Sequence, residues 1–482
     1  MPAKITNEQR NAVLQLLAEG QDSDTISATV GITPGQVSAI KAHVRMGTYS
    51  LPESHVKTAA DQLLHLDTIR HAPRGAIVSL PGHKENQVVI PAGAKAICDV
   101  LLGVDPETLR EVHWNPDPSS GSANPHVLVL GESGFGKTYT IACLLTELAA
   151  QGVHSIVFDY GQGFTPATLP EEFVRATAPV EIHASRQGIN INPLQIFPAD
   201  VHGPVNVAQR VADTFARVYP RIGMQQHAVL RQAVLDVMAD EGIVAGAESS
   251  WTQELPEFGN IRQKLQLYAS GSGHAPSRVA SLAESHISTI FVFNTFRPSG
   301  KKLAWSEMLA SESKVWVIQL KGLEHSLEMA VTEFLLWNLI GYYEALGPGP
   351  LKCFIVLDEA HKLAFDVGSP VEKLLREGRK YGLGLILASQ QPEDFSPVAF
   401  ANTATKLVFQ IGDDRSVVSR QLFRKVRNAD SFLKIYELIT RLPRGVAYVV
   451  TNNCGRLVKI TPIGERLGKM EQHQHASSRQ EH

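Results

Sequence analysis

The sequence predicts an α/β protein, a mostly parallel sheet flanked by helices, with a small helical module ahead of it. Three observations predict this. Val127-Leu-Val-Leu130 is a short apolar run leading directly into Gly131-Glu132-Ser133-Gly134-Phe135-Gly136-Lys137-Thr138, and a helical stretch follows from Tyr139 to Leu148. Cys353-Phe-Ile-Val-Leu357 is a second apolar run, and it ends in two adjacent carboxylates, Asp358 and Glu359. Between about 125 and 465 such runs alternate with helical stretches, the pattern of parallel strands joined by crossover helices.

Residues 1–46 read as a helix-turn-helix module. Glu8 to Ala18 carries Val13, Leu14, Leu16 and Leu17 and stops at Gly20. Asp22 or Ser23 caps a second helix through Val30, and Gly31 turns the chain. Thr33 caps a third helix from Pro34, with Val37, Ile40 and Val44 on one face. Gln36, Lys41 and Arg45 on its outer face suit a DNA groove. The module carries equal numbers of acidic and basic residues, so a helical bundle that docks a protein is the alternative. Residues 47–110 read as a connector with short β segments at 75–91, and residues 111–465 as the core.

Strands are expected within the core at His126–Leu130, Ser155–Asp159, Val315–Leu320, Phe354–Asp358, Gly384–Ser389, Lys406–Ile411 and Val446–Val450. A helical insertion is expected over about 166–313, with Val207–Val218 and Gln226–Asp240 its clearest helices and Trp251–Gly273 looser. The polar, His- and Gln-rich residues 466–482 read as a disordered tail.

The chemistry follows from residue type and spacing. Gly131, Gly134 and Gly136 let backbone N–H groups turn inward around phosphate oxygens, with Glu132, Ser133 and Phe135 completing the loop, and the helix N-terminus adds positive potential. Lys137 reaches the β- and γ-phosphates, and the Thr138 hydroxyl ligates Mg²⁺. Two carboxylates at the end of a buried strand are costly unless a cation or a proton transfer uses them. Asp358 is therefore assigned to Mg²⁺ through water, and Glu359 to polarising the water that attacks the γ-phosphate. ATP and Mg²⁺ are the expected cofactors.

Composition narrows the setting. The 482 residues are 44% hydrophobic, enough for one large core and smaller modules, and the formal charge of −3 gives no overall basic field for nucleic acid. Arg420 and Arg424, in a basic segment after the strand expected to end at Ile411, could line a DNA channel or a subunit interface. The four cysteines show no metal-ligand spacing, and Cys143 and Cys353 sit in apolar patterns as buried free thiols. A reducing cytoplasm is the expected location, with no membrane span and no signal segment.

Several runs together resemble the HerA/FtsK superfamily of ring-forming, DNA-pumping ATPases, the HerA branch most. They are Trp114-Asn-Pro116, Asn124-Pro-His-Val-Leu-Val-Leu-Gly131 with the loop after it, Phe158-Asp-Tyr160, Asn192-Pro-Leu194, Ile355-Val-Leu-Asp-Glu-Ala-His361, Arg376-Glu-Gly-Arg-Lys-Tyr-Gly-Leu-Gly-Leu-Ile-Leu-Ala-Ser-Gln390 and Leu442-Pro-Arg-Gly445. The resemblance implies a RecA-like core in a homohexamer, with ATP at subunit interfaces and double-stranded DNA as substrate. It makes Gln390 the polar sensor of the γ-phosphate, and Arg376 or Arg379 the finger that reaches a neighbour's ATP. It also implies a nuclease or effector partner, in DNA processing or anti-phage defence. A nucleotide-gated scaffold with little translocation, or a conjugation or secretion ATPase, are the other readings.

Overall fold

The computed structural model describes residues 6–18, 23–45, 98–117, 123–273, 275–412, 415, 418, 422, 429–451 and 454–480. The β segments expected at 75–91, and Arg420 and Arg424, lie outside them. Near the N-terminus, helices Asn7–Ala18, Ser23–Val30 and Pro34–Arg45 fall where the capping residues and apolar spacing predict them. They close on a small core of Val13, Leu14, Ile26, Val37 and Ile40. Thr33 and Gln36 form a reciprocal cap. The Gln36 Oε1 accepts from Thr33 N at 2.9 Å, and the Thr33 hydroxyl accepts from Gln36 N at 3.4 Å. Gln36, expected to face a groove, is thus engaged in starting its own helix. Lys41 and Arg45 lie on the same helix, with their side chains outside the description.

The larger unit is built on an 11-stranded sheet. Its strands are β1 (Val100–Val104), β2 (Glu111–Trp114), β3 (Val127–Leu130), β4 (His154–Asp159), β5 (Val180–His183), β8 (Val315–Gln319), β9 (Cys353–Leu357), β10 (Leu383–Ser389), β11 (Thr405–Val408), β12 (Val446–Thr451) and β13 (Cys454–Ile460). A separate pair, β6 (Ile189–Asn190) and β7 (Lys301–Lys302), runs parallel. The order is β2-β1-β13-β12-β11-β3-β10-β9-β4-β8-β5. From β11 to β5 every neighbour is parallel, and the β12, β13, β1 and β2 end is antiparallel. The seven expected strands are all present, within a few residues of the predicted bounds.

Both faces of the parallel part are covered, and the pleat sorts side chains between them. Val127 and Val129 of β3, with Phe354 and Val356 of β9, join a cluster with the helix Lys137–Ala150. Leu128, Leu130, Ile355 and Leu357 point to the other face, toward helix His325–Leu346 and the helical region. Burial on both faces explains why these strands read as continuous apolar runs. The helical region comprises Pro204–Val218, Met224–Asp240, Asn260–Ala269 and Ser277–Val292. Phe215, Phe258, Phe296 and Phe334 knit it to the long helix through edge-on and stacked rings.

Four expectations are corrected. The sheet begins at β1, inside the expected connector, because β1 pairs with both β2 and β13. β5 belongs to the main sheet, although it falls within the expected insertion at 166–313. Asn260–Ala269 is a helix with Ile261, Leu265 and Tyr268 buried, although its stretch reads as loose. The expected disordered tail holds a helix, Ile463–Gln480, anchored by Arg466.

Arg466 is fully buried. It donates to the carbonyls of Thr461 (2.7 Å), Leu102 (2.7 Å) and Leu101, and pairs with Glu147 of the phosphate-loop helix at 3.2 Å. Burial raises the Glu147 carboxyl, and Arg466 opposes that shift. Arg466→Ala would strand Glu147 and three carbonyls, so urea unfolding is expected to show a loss of about 3 kcal/mol or more. Cys98, Cys143 and Cys353 are buried free thiols, as expected for the latter two, and burial pushes them up to about 12, 11 and 12. Among the described residues no helix is long and apolar enough to cross a membrane.

Candidate active site

The site lies where β3, β10, β9 and β4 end. Leu130 is level with Ser389, and Leu357 is level with both Leu387 and Phe158. This register brings the phosphate loop, Gln390, Asp358-Glu359 and Asp159 to one edge of the sheet, the carboxyl edge at which parallel sheets bind ligands.

The loop from Gly131 to Thr138 turns from β3 into helix Lys137–Ala150. Gly136 stands at its N-cap with φ 108°, a left-handed backbone that glycine adopts without penalty. Gly131 is required by space as well, since a Cβ there would press on Phe409 and the Gln410 carbonyl. Glu132 N donates to Gln410 O at 2.8 Å, and Gly445 N to Phe135 O at 3.3 Å, which fastens the loop from both flanks. Lys137 Nζ donates to the carbonyls of Gly131 (2.6 Å) and Glu132 (3.1 Å). Burial lowers its pKa, and Asp358 and Glu359 oppose the shift by favouring the charged form.

Asp358 is 8% exposed. Burial pushes its carboxyl up to about 7, and repulsion from Glu359 and Asp159 adds to the rise while Lys137 opposes it. A buried carboxylate flanked by two more is a place that favours a cation. Space agrees with this. A methyl placed on Gly163 would lie 3.5 Å from Asp358 Oδ2 and 3.9 Å from Thr138 Oγ1, so both oxygens border one small gap. Among the described residues no group of three or more His, Cys, Asp or Glu side chains could hold a metal. Thr138 and Asp358 could hold Mg²⁺, an ion that keeps most of its shell as water and phosphate oxygen.

Glu359 follows with φ 63°, a left-handed conformation that costs a non-glycine residue of order 1–3 kcal/mol. Its carboxylate lies 3.3 Å from His361 Nδ1, which is also 3.3 Å from Ser389 Oγ. Ser389 in turn donates to Asp394, whose Oδ2 accepts from Gln391 N at 3.1 Å. A chain of polar interactions thus joins Glu359 to the backbone on either side of Gln390, which is itself exposed at the end of β10.

Arg376 and Arg379 lie elsewhere. Both precede the N-terminal end of β10, at the opposite edge of the sheet. Arg376 pairs with Glu372 one helical turn back, and Arg379 donates to the Ala123 carbonyl ahead of β3. Seven residues of β10 separate them from Gln390, about 20 Å of extended strand.

Residues 121–339 match the family model described as "Helicase HerA, central domain". This stretch of the core is similar to the HerA central domain. A curated relative, the DNA double-strand break repair helicase HerA of Sulfolobus acidocaldarius, is 23% identical over 348 residues, 70% of this chain and 63% of the relative. The chain thus spans less than two thirds of that relative's length. Among solved structures, VirB4 of Thermoanaerobacter pseudethanolicus matches with a TM-score of 0.61 at 19% identity, over 77% of this chain and 98% of VirB4. That likeness shows a shared fold. Plasmid coupling protein TrwB in complex with ADP and Mg²⁺ matches with a TM-score of 0.48 at 15% identity, over 70% of this chain and 85% of TrwB.

Sequence reasoning alone gives no role to Gly163, Gln319 and Asp394 around this site. Asp159, Ser389 and Arg444 enter it only within resembling runs, and His361, beside the acid pair, is expected only to pack or hydrogen-bond locally, as its contact with Ser389 shows. An acid at the end of an apolar run, followed by Gly161-Gln-Gly163, carries the same signal as Asp358. Arg444 is exposed beside the loop, because Gly445 bonds to Phe135.

Proposed function

We propose that this chain is the subunit of a hexameric, ATP-driven translocase of double-stranded DNA that works in the cytoplasm. The observation that carries the reading is the division of the expected catalytic set between two edges of one sheet. Lys137, Thr138, Asp358, Glu359 and Gln390 share the carboxyl edge, whereas Arg376 and Arg379 stand at the other. A finger that cannot reach its own subunit's nucleotide suits a ring in which each neighbour completes the next site. Lys137 would hold the β- and γ-phosphates, and Thr138 and Asp358 would hold Mg²⁺, whose charge offsets that developing on the phosphates. Glu359 would take a proton from the attacking water, and Gln390 would hold that water or the γ-phosphate in place. The likeness to a DNA double-strand break repair helicase supports DNA as the substrate, and a nuclease or defence effector would be the partner. Sedimentation with Mg·ADP is expected to give a sixfold mass, and a monomer with full turnover at high dilution would exclude the reading.

The N-terminal helices would bind duplex phosphates through Lys41 and Arg45. Deleting residues 1–46 is then expected to weaken duplex binding and flatten its salt dependence, by about one unit of log–log slope for each phosphate no longer neutralised. ATP turnover without DNA would persist. Affinity measured at two salt concentrations checks this, and an unchanged affinity and slope would assign the module to protein docking.

A further inference from the structure

We propose that segment 160–164 forms a third wall of the cation site, that Gly163 leaves room there for the ion's hydration shell, and that Asp159 positions this wall without touching the ion. The inference rests on the reading that Thr138 and Asp358 hold Mg²⁺.

Asp159 ends β4, and the pairing of Phe158 with Leu357 puts it level with Asp358. It is fully buried. Its Oδ1 accepts from Gly161 N at 3.0 Å and Gly163 N at 3.2 Å, and its Oδ2 from Phe164 N and Gln319 Nε2, both at 2.9 Å. A carboxylate offers about four lone-pair directions, so four donors leave none for a metal. Gln319 is the residue paired with Asp159 on β8, so the sheet itself holds this donor in place. Phe164 is buried in the cluster beneath the phosphate-loop helix and anchors the far end of the segment. Asp159 thus bends the chain back so that Gly163 faces Thr138 and Asp358.

Two glycines in the segment make the case separable. Neither Gly161 nor Gly163 has the positive φ that demands glycine. A Cβ on Gly161 would meet nothing within 4 Å. A Cβ on Gly163 would stand 3.2 Å from Thr138 Cγ2, 3.5 Å from Asp358 Oδ2 and 3.9 Å from Thr138 Oγ1, its three nearest atoms. The missing side chain at 163 therefore spares the two residues assigned to the ion. Mg²⁺ demands near-ideal octahedral geometry and keeps its waters, so a methyl in that space would disturb its shell.

The test titrates a fluorescent ADP onto the full chain with and without Mg²⁺. Wild type is expected to bind more tightly with Mg²⁺. Gly163→Ala should lose on the order of 10-fold of that Mg²⁺-dependent gain while Mg²⁺-free affinity is retained, with a small drop in melting temperature from crowding against Thr138 Cγ2. Gly161→Ala should behave as wild type. Asp159→Asn, which replaces acceptor capacity with a donor facing N–H groups, should lose the gain as Gly163→Ala does. If Gly163→Ala matches Gly161→Ala while wild type keeps its Mg²⁺ response, the inference is overturned and the cation reading stands. If Asp159→Asn keeps the full response, its positioning role is overturned. If wild type itself ignores Mg²⁺, the cation reading fails first.

Discussion

Glu359→Gln is expected to slow ATP turnover by on the order of 10²-fold or more while ATP stays bound. The amide keeps the shape of the side chain and removes its ability to accept a proton. Lys137, Thr138 and Asp358, which are proposed to serve binding, are untouched. The geometry favours Glu359 over Asp358 for this role, because Asp358 is nearly buried against Lys137 and Asp159 while Glu359 turns outward on a left-handed backbone. Lys137→Ala supplies the contrast, since it should remove both binding and turnover. Filter binding of ATP beside steady-state phosphate release separates the two variants. Parental turnover in Glu359→Gln would show that another group is the base.

Removing the finger should cost more than removing the base, since a guanidinium supplied to phosphoryl transfer is worth about 10³- to 10⁵-fold. The larger loss is expected at Arg379. Arg376 is tied to the nearly buried carboxylate of Glu372, a charge-assisted bond that resists release. The partner of Arg379 is a neutral backbone carbonyl, a weaker hold. Both stand far from their own phosphate loop, so the defect should be complemented between subunits. Neither Arg379→Ala nor Lys137→Ala protein should turn over ATP alone. Mixed in equal amounts they should regain part of the activity, since some interfaces then pair an intact loop with an intact finger. A mixture no more active than its parts would place the arginine's role within its own subunit.

The central strands are legible in the sequence because they are buried on both sides. β3, β8, β9 and β10 carry apolar side chains to both faces and so read as apolar runs, and those of β3 and β9 lead directly into the phosphate loop and the acid pair. β13 is hard to read because Cys454-Gly-Arg-Leu-Val-Lys-Ile460 is half exposed in the antiparallel part of the sheet and mixes charged with apolar residues. Arg466 reads as the first residue of a polar tail, since nothing local marks an arginine most of whose partners lie more than 300 positions earlier. The loop and the acid pair of the site are readable because their chemistry is local in sequence. The hydrogen bonds of Asp159 with Gln319, and of His361 with Ser389, are not, because they join segments that only the sheet register brings together.

The central claim is that this site hydrolyses ATP in order to move along duplex DNA. Steady-state phosphate release from Mg·ATP, measured with and without linear double-stranded DNA at protein concentrations that support ring formation, tests it most directly. The account predicts turnover that requires Glu359 and rises several-fold when linear duplex is added. Turnover that is the same with and without DNA would contradict the motor and leave a nucleotide-gated scaffold.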